Sequence, residues 1–223
     1  MEKRKYDLCL EVLRRLNKCG ILKHCILVGS WCLPFYKEYF KSKSYLVSIT
    51  TRDIDIMIPV PKKITIKTDV VELLKDLGFI IDFSGSKGYI RLVHPDLVVE
   101  FLVPEMGRGS EKPYPLPQLG LNAQPLRFMD LLAEKTIKVK VDGIVIQLPD
   151  PAIFALHKFI IAPRRTDSYK EIKDQEAGLR VYNALISAGK GDKLKYVFEK
   201  LPMKWQTKIR KQLEKLTPDA DPF

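Results

Sequence analysis

Residues 50–60 read TTRDIDIMIPV, and the fold turns on how this stretch is understood. Ile54, Ile56 and Ile58 alternate with Asp53, Asp55 and Met57. In a β-strand such alternation sends one set of side chains to each face. The isoleucines then face a core, and Asp53 and Asp55 project together from the other side. Two carboxylates ~7 Å apart at their Cα atoms and pointing one way repel each other. A bland reading is a strand end whose acids are solvated beside Arg52. The alternative is that the pair holds a cation.

The flanking sequence favours the cation. VVEFLVP, residues 98–104, places Glu100 between Val99 and Phe101 in a second apolar strand, where a lone acid is costly unless paired or metal-bound. Upstream, LVGSW at 27–31 reads as a strand that stops at Gly29-Ser30 with a helix over 31–41 behind it. Such a turn offers free backbone N–H groups to an anion. Gly29 allows close approach to the backbone, and Ser30 adds a hydroxyl. No G-x-x-x-x-G-K-[ST] phosphate loop is present. Paired Mg²⁺ ions ~3.5–4 Å apart on carboxylates serve phosphoryl-transfer chemistry. Mg²⁺ takes one or two carboxylates and completes its shell with phosphates and water.

Together, LVGSW, RDIDIMIP and VVEFLVP resemble the nucleotidyltransferase superfamily that includes DNA polymerase beta, and within it a prokaryotic branch. NAQPLRF at 122–128 and PAIFALHK at 151–158 extend the likeness over about residues 20–190. The resemblance implies an α+β nucleotidyltransferase fold with a mixed sheet flanked by helices. Gly29 and Ser30 would hold the triphosphate of an NTP. Asp53 and Asp55 would ligate two Mg²⁺ ions. Glu100 would be the third carboxylate, on the metal or assisting deprotonation of the attacking hydroxyl. Lys158 and Lys173 would face the NTP, with Asp174 orienting one of them. Glu stands where Asp is commoner in the family, and the connection from Gly29 to Asp53 is longer than in its minimal members. The expected reaction is transfer of a nucleoside monophosphate to a hydroxyl of an acceptor, which is RNA, protein or a small molecule. The competing class is an inactive nucleotide- or nucleic-acid-binding module, as in a defence or toxin–antitoxin pair.

Composition suits an anionic partner and, equally, a solvated lysine-rich surface. The 223 residues carry 38 Lys+Arg against 27 Asp+Glu, a net charge of +11. No apolar run approaches the ~18 residues of a membrane span, and the N-terminus carries charges throughout, unlike a secretory signal. A cytoplasmic protein with reduced thiols at Cys9, Cys19, Cys25 and Cys32 is expected. The domain reading is a catalytic domain at 1–149 and a helical C-terminal domain at 150–223. In the first, helices at 5–19 and around VVELLKDL alternate with strands at 25–28, 53–58 and three near 80–103. Residues 104–124 read as a long Pro/Gly-rich loop, and TIKVKVDGIVIQLP as a hairpin turning at Asp142-Gly143. Four helices follow from Asp150, with His157 packed inside the first and TPDADPF as a loose tail.

Overall fold

The computed structural model describes residues 2–42, 45, 47–48, 51–105 and 112–217. The chain separates into two compact units, Met1–Tyr39 with Leu46–Pro149, and Phe40–Tyr45 with Asp150–Phe223.

The first unit opens with helix α1, Glu2–Lys18, which buries Cys9, Val12, Leu13 and Leu16 along one stripe. Strand β1, Ile26–Val28, is buried throughout. It ends at Gly29, whose φ of +68° lies in the left-handed region. The helix expected over 31–41 is broken. A 3₁₀ turn at Gly29–Trp31 leads into α2, Cys32–Phe35, and α3, Lys37–Phe40. Pro34 within α2 has no N–H for a helical ladder. The buried Tyr36 anchors the junction by donating its hydroxyl to the Pro149 carbonyl at 3.0 Å.

Strand β2 is Asp53–Met57, followed by α4, Val70–Lys75. Asp69 caps α4 by accepting from the Val71 and Glu72 amides. Strands β3, Ile80–Ser84, β4, Tyr89–Val93, and β5, Val98–Pro104, come next. The stretch read as a loop over 104–124 is corrected by two strands, β6, Tyr114–Leu116, and β7, Leu121–Leu126. Prolines at 115 and 125 hid them. β6 pairs with Leu121–Ala123 and β5 with Gln124–Leu126, so Pro125 has a neighbour on one side only and its missing N–H costs no ladder bond. Asn122 stitches β7 to β4, accepting from the Ile90 amide and donating to the Gly88 carbonyl. A short helix α5, Met129–Glu134, also escaped the pattern; it starts at Phe128, held at φ +66°. Strands β8, Thr136–Val141, and β9, Ile144–Pro149, form the expected hairpin, with positive φ at both Asp142 and Gly143.

The main sheet has the order β1-β2-β5-β4-β3, with β7 added beside the end of β5. β1 runs antiparallel to β2, β2 parallel to β5, and β5 antiparallel to β4. A mixed sheet with helices is the architecture anticipated. Ile54, Ile56, Val99, Phe101 and Leu92 fill the core on one face.

The second unit holds α6, Pro151–Ile161, α7, Ser168–Ser187, α8, Gly191–Lys200, and α9, Met203–Leu216. Every residue from Pro151 to Ile160 is buried, including His157 and Lys158. A helix buried all round is a central helix. Gly178 lets α7 approach it closely: a Cβ there would meet Lys158 Cβ and Phe159 Cε1 at 3.0 Å. The loose tail expected from residue 217 lies beyond the described residues except for Thr217. Among the described residues, no helix is long and apolar enough to cross a membrane. All four cysteines are free thiols.

Candidate active site

Strand register decides whether the three acids of the first unit meet. Asp55 lies directly across from Glu100 on the parallel neighbour β5. Directly paired residues on adjacent strands project from the same face, with backbones ~4.8 Å apart. Asp53, two residues earlier, projects from that face too. All three carboxylates therefore stand on one side of the sheet. Asp53 is exposed, and Asp55 and Glu100 are half-buried, while the isoleucines between them are fully buried behind.

The Gly-Ser turn reaches the same place. Val28 pairs with Asp55, so Gly29 follows directly beside it. A Cβ built on Gly29 would fall 2.0 Å from Asp55 Oδ2 and 3.0 Å from Cγ. The aspartate side chain fills the space that glycine leaves open. Sequence reasoning assigned Gly29 to phosphate approach; the structure adds that Gly29 makes room for Asp55. Arg52 donates to the His94 carbonyl at 3.0 Å, and the Asp53 amide donates to Thr51 Oγ1.

The sequence reading missed Arg91. It sits opposite Glu100 on β4 and opposite Asp82 on β3. Its Nε donates to Asp82 Oδ2 at 3.1 Å and lies 3.9 Å from Glu100 Oε1. Asp82 first, and then Glu100 and Asp53, stabilise its charged form. The period-two pattern of YIRLV was the available signal: it puts Arg91 on one face, but the partner strand cannot be read from one segment.

Among the described residues, no group of three or more His, Cys, Asp or Glu side chains is placed to hold a metal ion. Asp53, Asp55 and Glu100 nevertheless form an all-oxygen donor set on one face, with Asp55 reaching into the space beside Gly29. That set fits the Mg²⁺ preference for few carboxylates and open positions.

Lys158 and Lys173 belong to the second unit. Lys158 is 5% exposed, and its Nζ donates to Asp174, which also accepts from Arg165 Nε at 2.7 Å. Burial opposes ionisation of Asp174, but Lys158 and Arg165 together outweigh it and hold the carboxyl below its ordinary range. Lys173 is half-buried near the start of α7. His157 is buried, and among the described residues both its ring nitrogens lack a hydrogen-bond partner. Burial, then Lys158, push its pKa down to about 3. The unfolded chain binds a proton near pH 6.5 where the folded one does not, so stability falls as pH drops from there towards 3. Going from pH 7 to pH 5 is expected to cost about 2 kcal/mol through His157 alone. Melting curves at both pH values for wild type and His157→Phe check this, the variant losing less.

A model of the family described as Nucleotidyltransferase matches residues 8–196. The chain belongs to the nucleotidyltransferase family. It is thus a transferase enzyme of the nucleotidyltransferase class. No curated protein matches this nucleotidyltransferase in sequence. Among solved structures, it is similar to the antibiotic-resistance factor ANT(2'')-Ia in solution, at 12% identity and TM-score 0.48, with 97% of this chain and 96% of that one covered. ANT(2'')-Ia in complex with adenylyl-2''-tobramycin gives 11% identity and TM-score 0.46 over 93% and 98% of the two chains. An antigenic nucleotidyltransferase-like protein from Paracoccidioides brasiliensis gives 14% and 0.49 over 95% and 89%. These structural likenesses are too distant to bear on substrate.

Proposed function

We propose that this nucleotidyltransferase joins the α-phosphate of an NTP to a hydroxyl of its acceptor, using the acids at 53, 55 and 100 to hold two Mg²⁺ ions. The observation that carries the reading is the pairing of Asp55 with Glu100 on parallel strands, with Asp53 on the same face and Gly29 against Asp55. When bound, divalent cations would offset charge at the α-phosphate and lower the pKa of the attacking hydroxyl. Asp53 and Asp55 hold them from one strand. Glu100 supplies the third carboxylate, as a ligand or as the acceptor of the hydroxyl proton. Ser30 and the backbone at Gly29 orient the triphosphate. The hydroxyl oxygen bonds to the α-phosphorus, the bond to the bridging oxygen of the β-phosphate breaks, and pyrophosphate leaves. The charge of +11 favours an anionic acceptor such as RNA, and a cytoplasmic setting with an ATP-type nucleotide fits this chemistry.

The test is incorporation of α-³²P-labelled ATP, CTP, GTP or UTP into total RNA, lysate protein and small-molecule fractions with Mg²⁺. Label is expected in one fraction, and it is expected to vanish with EDTA and in Asp53→Asn. Label that survives in Asp53→Asn would remove the acids from the mechanism.

A further inference from the structure

One rung of the sheet carries a row of charges. Asp55 pairs with Glu100, Glu100 with Arg91, and Arg91 with Asp82, across β2, β5, β4 and β3. Direct partners share a face, so all four side chains project together. Arg91 is the one cation in that row. It is held from the outer side by Asp82, to which both Nε and Nη2 donate. On the inner side Nε stands 3.9 Å from Glu100 Oε1. The Arg91 and Glu100 side chains are 34% and 25% exposed, so water screens their interaction only in part.

Without bound metal, Asp55 and Glu100 are like charges one strand spacing apart. We propose that Arg91 is a positioning residue of the transfer site: its guanidinium takes the place of a cation beside Glu100 until metal arrives, and Asp82 sets how much of that charge the acids feel. This rests on the reading of Asp53, Asp55 and Glu100 as the metal-binding acids. The consequence is a site that binds divalent cation weakly by itself. A triphosphate brings further negative charge, so metal and nucleotide load together. Asp82 withdraws part of the guanidinium's field, which keeps the site from repelling metal altogether.

The test is Mn²⁺ binding to the full chain without nucleotide, read as loss of the free-ion signal in electron paramagnetic resonance. Arg91→Gln removes a positive charge from beside Glu100, and is expected to bind Mn²⁺ roughly fivefold to tenfold tighter. Arg91→Lys keeps the charge and is expected to stay near wild type. Asp82→Asn leaves the guanidinium's field unopposed and is expected to bind roughly twofold to threefold weaker. Opposite signs in Arg91→Gln and Asp82→Asn separate this role from a structural one, because an ion pair that merely held the hairpin would weaken binding in both. Circular dichroism confirms that each variant is folded. Arg91→Gln binding Mn²⁺ no tighter than wild type overturns the proposal. Asp55→Asn distinguishes the two failures. If it binds Mn²⁺ as wild type does, the metal-acid reading falls; if it loses Mn²⁺ while Arg91→Gln gains nothing, only the role of Arg91 falls. No binding by any variant counts against both.

Discussion

Asp55→Asn is expected to slow nucleotide transfer by roughly 10³-fold, about 4 kcal/mol of transition-state stabilisation. The amide keeps the size of the carboxylate, so the contact with Gly29 and the register against Glu100 survive. What disappears is one negative charge aimed at the cation. The same substitution removes repulsion between two acids on adjacent strands, so the nucleotide-free protein is expected to melt at the same temperature or higher. Activity and stability then move in opposite directions, as happens where a fold holds like charges together for function. Single-turnover transfer of labelled NTP and a melting curve without metal check the two halves. A large fall in melting temperature would mean that Asp55 is a structural residue.

Gly29→Ala is expected to fold and to transfer nucleotide at least ~10²-fold more slowly, the cost of a small misplacement of a reacting group. The left-handed φ of +68° adds about 1–2 kcal/mol of strain for any residue with a Cβ. The larger effect is steric. The new methyl would lie 2.0 Å from Asp55 Oδ2, and that oxygen ends a side chain that rotates away more easily than backbone moves. The carboxylate leaves its position while the strand stays. A double-mutant cycle with Asp55→Ala isolates this effect. Once the carboxylate is gone, Gly29→Ala costs its backbone strain and a remaining 3.3 Å contact with the residue-55 Cβ, and so less than before in the melt. If the stability cost of Gly29→Ala is the same with and without Asp55, the close approach is not what the glycine serves.

Local patterns reported the elements well, and distant pairings only through their consequences. Ile54 and Ile56 alternating with Asp53 and Asp55 gave the strand and its faces, because period two is a property of the segment itself. The Asp69 and Asp150 caps and the Asp142-Gly143 turn were legible for the same reason. β6 and β7 were not, since Pro115 and Pro125 are acceptable only when one side of the strand is open, and that is known only from its neighbours. Arg91 beside Glu100 was invisible because that place depends on which strand lies next to β5. Lys158 showed as a mid-helix cation, but its burial against Asp174 follows from helix packing around Gly178, which no window of α6 contains.

The wide connection between Gly29 and Asp53 leaves the pairing of Val28 with Asp55 in place. Val28 lies opposite Asp55 because β1 and β2 are hydrogen-bonded neighbours, and the hydrogen bonds between them do not record how long the chain travelled in between. Insertions there add loop-closure entropy that grows only as the logarithm of length, ~0.6 kcal/mol per doubling. Beyond the buried Trp31, Phe35 and Tyr36, that excursion can therefore lengthen or shorten without moving Asp55 from its place opposite Val28.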